Sequence, residues 1–515
     1  MTRRYRVERR ISAATRVMLC LCLFIGQLVG LICLEQLLEH HVTALHSALW
    51  MLGVGVAIWL YVRGGDTTYK LAWMSLVLAV PVAGVILFFF WGGYHQKKRL
   101  NLKTIPLSPQ RYSEKERTLL NTQRLTQSTA EWSRLATYWN KRDCPLYGNT
   151  TAQYFPDGSA FYADLRERIE QAETYVFLEY YILADGKVWS ALFDVLSQKA
   201  AQGIEIYIIF DDFGNIARLS DKRLQQMQDA GMEVAVFNPV HQFISRLYFN
   251  YRNHRKIAVI DGYYAYTGGV NIGDEYANLI PRYGHWKDSA VRLDGEAAYG
   301  FASQFIQMWR MLGGTLGNED DFYRPRMEMP KGKGYCQPFF DGPLQKPDCP
   351  SEATYLRLIH SAKRLLYITT PYYAVEDSVQ QALCMAADSG VDVRLMIPAI
   401  PDHKTPYLVA ETYWGELLQH GVKIYKYVPG FLHAKSVMVD REVALIGSTN
   451  MDYRTFHLHY ECGVICYQME VIEDLLEDMD NILTQSAPYT LEDWNKRSMW
   501  RRFTCTLMRL FAVWL

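Results

Sequence analysis

NHRKIAVIDGYYAYTGGVNI (Asn253–Ile272) and LHAKSVMVDREVALIGSTNM (Leu432–Met451) are two versions of one pattern. Each reads His-x-Lys, four more residues and Asp, then a small-residue turn and Asn. The first version places His254, Lys256, Asp261, Gly268, Gly269 and Asn271. The second places His433, Lys435, Asp440, Gly447, Ser448 and Asn450. On an extended strand, residues two apart share a face. Each His therefore projects with its Lys, while Arg255 and Ala434 point away.

The surroundings repeat as well. A helix at Leu165–Ala172 precedes TYVFLEYY, and Tyr355–Ala362 precedes LLYITTPYY. AAQGIEIYIIFDD matches AADSGVDVRLMIP, and DAGMEVAVFNP matches QHGVKIYKYVP. Strands at Tyr175–Tyr181 and Glu205–Phe210 enclose a helix at Ala191–Ala201, the βαβ logic of a largely parallel sheet. Four matched blocks in one order predict a duplicated α/β domain, residues 151–330 and 331–490, rather than a solenoid of short units.

Two His, two Lys and two Asn brought together make a cationic, donor-rich pocket without soft metal ligands, which suits a phosphate. Lys256 and Lys435 supply point charge. Asn271, Asn450, Ser448 and backbone N–H groups near the Gly supply donors to phosphate oxygens. One imidazole can attack phosphorus, and the other can protonate the departing alkoxide and later deprotonate the acceptor. The repeat makes the two histidines near-equivalent on paper. Asp261 and Asp440 complete the motif and count with the catalytic set. A working imidazole needs a partner on its second nitrogen. Asp288, 34 residues after His254, and Glu461, 28 after His433, each open the next strand. The expectation is that each orients the His of its own repeat. Arg255, Asp274 and Glu275 read as salt-bridged scaffolding at least as readily as direct chemistry. No Walker A, HExxH or GxGxxG pattern is present, so no metal and no cofactor is expected.

The formal net charge is zero, from 54 basic and 54 acidic residues. It is a cancellation. Residues 1–100 hold eleven basic and four acidic residues, and the remainder is acidic to the same extent. An acidic body disfavours a nucleic-acid partner. The basic hundred residues contain three uncharged apolar stretches, 17–34, 45–62 and 71–93. They predict a membrane anchor over 1–95 with two to three transmembrane helices, followed by a linker over 96–150. The Arg-rich head and Lys97–Arg99 both favour the cytoplasmic side, which three crossings would not allow together. The ten cysteines form no CxxC and read as buried free thiols. Residues 491–515 close the chain. Within them Lys496–Leu515 has five basic residues, no acid, and Trp, Phe, Leu and Met between. That composition predicts a basic amphipathic helix at a membrane surface.

The doubled His-Lys-Asp motif resembles the phospholipase D superfamily. The flanks FNYRNHRKIAVIDG, YTGGVNIGDEY, HWKDSAVRLDGEAA, FIQMWR, GFLHAKSVMVD and IGSTNMDYRTFHLHYE are closer to its bacterial cardiolipin synthases. The resemblance runs from about residue 50 to the C-terminus. It implies a bilobal, pseudo-two-fold fold of mixed sheets flanked by helices, preceded by transmembrane helices, with both motifs at one site. It also implies metal-independent transfer of a phosphatidyl group between two phosphatidylglycerol molecules through a phosphatidyl-histidine, giving cardiolipin and glycerol. His254 is then the nucleophile and His433 the general acid/base, in a multi-pass protein of the bacterial cytoplasmic membrane that meets anionic lipid. Hydrolysis of phospholipid, or phosphatidylethanolamine as donor, are the rival readings. Two departures stand out: Val17–Leu34 is an extra apolar stretch, and His457 and His459 occupy positions that are more usually Asn- or Leu-like.

Overall fold

The computed structural model describes residues 42–62, 67–92, 109–239, 250–316, 322, 328–343, 349–509 and 512. These form two compact units, helices between 42 and 92 and a larger body from 109 onward.

In the helical unit, residues 45–62 lie in the Val42–Val62 helix. The stretch 71–93, expected as one span, is two helices, Thr67–Ala79 and Pro81–Trp91. Pro81 explains the break: it has no N–H to donate, and its ring excludes a regular helix through the preceding turn. Trp73 and Phe88 pack edge to face, 5.3 Å between ring centres, and both are buried. Among the described residues no helix is long and apolar enough to cross a membrane. The stretch 17–34 lies outside them.

The body holds two sheets of one design. The first contains β1 (Thr150–Phe155), β2 (Tyr175–Tyr180), β3 (Glu205–Asp211), β4 (Glu233–Phe237), β6 (Lys256–Ile260), β7 (Tyr264–Gly268) and β9 (Ala290–Gly295). Their order is β1-β9-β7-β6-β2-β3-β4. The second contains β10 (Tyr335–Asp341), β11 (Leu365–Thr369), β13 (Asp392–Pro398), β14 (Lys423–Tyr427), β16 (Ser436–Val439), β17 (Val443–Gly447), β19 (His459–Tyr467) and β20 (Ser486–Tyr489). Its order, β10-β19-β17-β16-β11-β13-β14-β20, repeats the first and adds an edge strand. In both sheets the βαβ strands pair in parallel and the motif strands are antiparallel, so the sheets are mixed. The central strands β2, β3 and β11 are buried on both faces, which is why they read as nearly continuous apolar runs rather than alternating ones. Val176, Leu178, Ile208 and Phe210 form the first core; Leu366, Ile368, Leu395 and Ile397 belong to the second.

Much of the expected linker is structured. Pro109–Ser128 and Ala130–Asn140 are helices, and the second belongs to the body. Trp132, Leu135, Ala136 and Trp139 fall at helical spacing and are buried. Trp139 Nε1 donates to Thr354 Oγ1 at 3.0 Å.

Two short strands cross between the repeats. β5 (Arg252–Asn253), just before His254, pairs in parallel with β19 of the second repeat. β15 (Gly430–Leu432), just before His433, pairs in parallel with β8 (His285–Lys287) of the first. Each motif thus enters its own sheet only after being clamped to the other.

Candidate active site

The clamps fix the backbones of both motif histidines. His254 N donates to Tyr460 O at 2.9 Å, and His433 N donates to Lys287 O at 2.7 Å. The next residue on the receiving strand is in each case an acid. His254 Nδ1 therefore meets Glu461 Oε1 at 2.9 Å, and His433 Nδ1 meets Asp288 Oδ2 at 2.6 Å. The two acids do partner the two histidines, but crosswise, each serving the other repeat. The expected pairing within a repeat is wrong because β5 and β15 carry each His away from its own acid. Asp288 and Glu461 are equivalent in the fold, each two residues before the residue paired with Gly268 or Gly447.

With Nδ1 engaged, each ring keeps Nε2 for the cavity that both histidines line. Burial, reinforced by the Lys256 charge, holds His254 well below the ordinary histidine range. Burial and Lys435 bring His433 down to about 4, against the pull of Asp288. The two acids differ. Burial raises Glu461 well above the carboxylate range, although Lys256 and Ser448 oppose it. Burial would raise Asp288 too, but the charge and hydrogen bond of His433 outweigh it and Asp288 is lowered.

The lysines lie just behind. Lys256 Nζ donates to His254 O at 2.6 Å, and Lys435 Nζ donates to His433 O. Burial lowers Lys256 to about 8 and Lys435 to about 7, in each case against a nearby carboxylate. Asn271 and Asn450 reach the cavity wall. Asn271 is held through Ile182 N (3.1 Å) and Tyr276 Oη (2.9 Å). Asn450 Nδ2 donates to Thr455 Oγ1 at 3.3 Å, while its buried Oδ1 has no partner among the described residues.

Three expected site residues lie elsewhere. Ser448 is fully buried behind Glu461, donates to its Oε2, and does not line the cavity. Its counterpart Gly269 faces Asp288 so closely that a Cβ there would lie 2.1 Å from Oδ1, so only glycine fits. Asp261 and Asp440 are structural. Asp261 accepts from the backbone N–H of Glu173, Thr174 and Tyr175 (2.7–3.0 Å), and Asp440 from those of Lys363, Arg364 and Leu365 (2.8 Å). Each adopts a left-handed φ of 52° past the end of the motif strand, which turns its carboxylate to the entry of β2 or β11. An Asp261→Asn protein keeps a shape that tolerates this backbone but sets an NH2 against backbone donors. It should lose about 1–3 kcal/mol of stability, read as a lower denaturation midpoint, with turnover at low temperature retained. Arg255, Asp274 and Glu275 sort as scaffolding: Arg255 stands 3.9 Å from buried Glu179, Asp274 accepts from Lys187 N and Val188 N, and Glu275 pairs with Arg218.

The cavity encloses about 280 Å³. Aromatic rings surround the imidazoles: Tyr181 is 5.1 Å from His254, and Trp286 is 5.1 Å from His433. Arg454 escaped the motif reading, and His459, noted there only as a departure, joins it on the cavity wall. Arg454 donates through Nε to His459 Nε2 at 3.0 Å, and His459 Nδ1 lies 3.4 Å from Glu461 Oε1. Because Nε2 accepts, the His459 proton sits on Nδ1 and faces the carboxylate that already holds His254. Extending the repeat four residues past each Asn sets Arg454 against Glu275, both on the cavity wall, and that was the available signal.

This fold and site define a two-repeat protein of the phospholipase D type, with one histidine from each repeat at one cavity. A sequence family described as "Cardiolipin synthase, PLD-like domain" matches residues 165–309 and 355–483, once in each repeat. The chain belongs to that family. It is 31% identical to a cardiolipin synthase of Halalkalibacterium halodurans over 88% of this chain and 91% of that one. It is 32% identical to one of Oceanobacillus iheyensis over 90% and 97%. The crystal structure of a phosphatidylserine synthase from Haemophilus influenzae shares the fold (TM-score 0.55, 13% identity, 73% of this chain and 96% of that one).

Proposed function

We propose that this chain is a phosphatidyltransferase that joins two phosphatidylglycerol molecules into cardiolipin and releases glycerol. The observation that carries the mechanism is a pair of buried imidazoles, one from each repeat, that line one cavity and are each held through Nδ1 by an acid of the other repeat. Environments that push like groups apart assign acid and base roles. His254 donates Nδ1–H to Glu461, which leaves on Nε2 the lone pair a nucleophile needs. His433 rests on an ionised carboxylate and gains a proton when a phosphate anion enters the cavity.

In the first step His254 Nε2 attacks phosphorus. The P–N bond forms, the bond to the glycerol headgroup breaks, and His433 gives its proton to the departing oxygen. In the second step His433 takes the proton from the headgroup hydroxyl of another phosphatidylglycerol. That oxygen attacks phosphorus, and the P–N bond breaks to free His254. Lys256, Lys435 and Asn271 hold the phosphate oxygens. The unpaired Asn450 Oδ1 accepts from the incoming hydroxyl.

The setting is the bacterial cytoplasmic membrane, with the chain anchored through its N-terminal helices. In their support, Trp50, Met51, Ile58 and Leu71 of the helical unit are exposed. The C-terminal helix Met499–Arg509 docks through Arg501 on Glu411 and through buried Cys505. Its other side leaves Met499 (85%), Trp500 (79%) and Phe503 (60%) exposed beside basic residues, a face suited to an anionic lipid surface.

The test is reconstitution in vesicles of pure phosphatidylglycerol without nucleotide or added metal. Cardiolipin and glycerol should appear in equal amounts. Phosphatidic acid as sole product would make the chain a hydrolase, and a need for a nucleotide-activated lipid would overturn the mechanism.

A further inference from the structure

A second group of reactive side chains lies off the lipid cavity. Cys349 Sγ is 2.9 Å from His457 Nδ1, and His457 Nε2 is 2.6 Å from Glu376 Oε1. Tyr453 stacks on the imidazole at 4.2 Å. Thiol, imidazole and carboxylate follow one another as nucleophile, proton carrier and orienting acid. Nothing in the transfer mechanism uses them.

Three further observations single out this thiol. Cys144, Cys336, Cys384, Cys462, Cys466 and Cys505 are all buried, whereas Cys349 is partly exposed. Cys349 stands at the N-cap of the Pro350–Ser361 helix. It holds a left-handed φ of 48°, a conformation that costs energy in a cysteine. Burial alone would strip His457 of its proton. The hydrogen bonds to Cys349 and Glu376 outweigh that and raise it to about 10, so its Nδ1–H faces the sulfur.

We propose that Cys349, His457 and Glu376 form a modification site at which Cys349 reacts with hydroperoxides. The sulfur attacks the outer peroxide oxygen; an S–O bond forms and the O–O bond breaks. The leaving oxygen takes the Nδ1 proton of His457. Sulfur is oxidised to the sulfenic acid while the peroxide is reduced to an alcohol or water. A metal site is the competing reading, since Cys349, Glu352 and His457 also come close together. Geometry disfavours it. Glu352 Oε2 lies 3.9 Å from Nε2, the ring nitrogen turned away from the sulfur.

The experiment treats the full chain in vesicles with hydrogen peroxide, traps sulfenic acid with a cyclic 1,3-diketone, and maps the adducts by mass spectrometry. Cys349 should trap first, roughly tenfold or more ahead of the buried thiols. His457→Gln and the milder Glu376→Gln should each slow trapping at Cys349, and Cys349→Ser should abolish it while cardiolipin formation continues. Trapping at a buried thiol before Cys349, or equal rates at Cys349 in both variants when lipid transfer shows them folded, defeats the proposal. So does zinc that copurifies one to one and is lost in Cys349→Ser.

Discussion

A His254→Ala protein releases no nitrophenol from a phosphatidyl-nitrophenol substrate, while a His433→Ala protein releases one equivalent and stalls. Nitrophenolate departs without a proton, so the first half of the reaction no longer needs an acid. Only the nucleophile is then indispensable. On phosphatidylglycerol the distinction vanishes, because the glycerol oxygen must be protonated as it leaves. Each variant should lose about 10³- to 10⁴-fold in turnover there, the scale seen when a member of a catalytic unit is removed. Rapid-quench measurement of nitrophenol against enzyme concentration, with the phosphorylated residue located by mass spectrometry, reads both outcomes. A single-turnover burst in His254→Ala, with the adduct on His433, would falsify the assignment and exchange the two roles. In the unmodified protein kcat/KM should fall as pH rises through about 7 to 8. The protonated lysines attract the phosphate, and Lys435 (about 7) and Lys256 (about 8) lose that charge across this window.

The duplicated fold was legible because its central strands are buried on both faces and its motif strands are marked twice by the same residue types. The spacing of His254 with Lys256 and of His433 with Lys435 paired each His with its Lys in the sequence, although each His falls in the link between a crossing strand and its motif strand, with its Lys behind the cavity wall. The same alternation argues against Asp261. Seven residues from His254, it falls on the other parity and beyond the strand end, and motif membership concealed a role at the entry of β2. Ser448 misled for a similar reason: small residues after a motif strand suggest donors to phosphate, but here the hydroxyl faces inward to Glu461. The loss of helix continuity at Pro81 was visible in the sequence, since proline disfavours the helical conformation in the residue before it. What the sequence concealed most was the crossing of the acids. Separations of 34 and 28 residues within a repeat look local, whereas the contacts formed span 207 and 145 residues. Nothing in a single repeat announces that a two-residue strand will pair outside its own sheet.

The crossing has a consequence that pairing within repeats reverses. Glu461→Gln should disable the nucleophile of the first repeat, and Asp288→Asn the acid/base of the second. Replacing the orienting carboxylate of a catalytic imidazole by its amide costs up to about 10⁴-fold, largely through the wrong tautomer. With phosphatidyl-nitrophenol, Asp288→Asn should still give a full burst and then stall, like His433→Ala. Glu461→Gln should give little or none, despite lying in the other repeat from His254. If the acids served their own repeats, the two results would change places. The amides preserve size and burial, so a circular dichroism melt separates misfolding from misorientation. Glu461 carries a further load that Asp288 does not. It accepts from Ser448 and faces His459 as well as His254, so His459→Asn, which leaves the His254 and Ser448 contacts in place, should spare the burst. That leaves a division of labour in which neither repeat is a catalytic unit alone. Each supplies one histidine and the acid that aims the other, and the active site exists only where β5 and β15 cross.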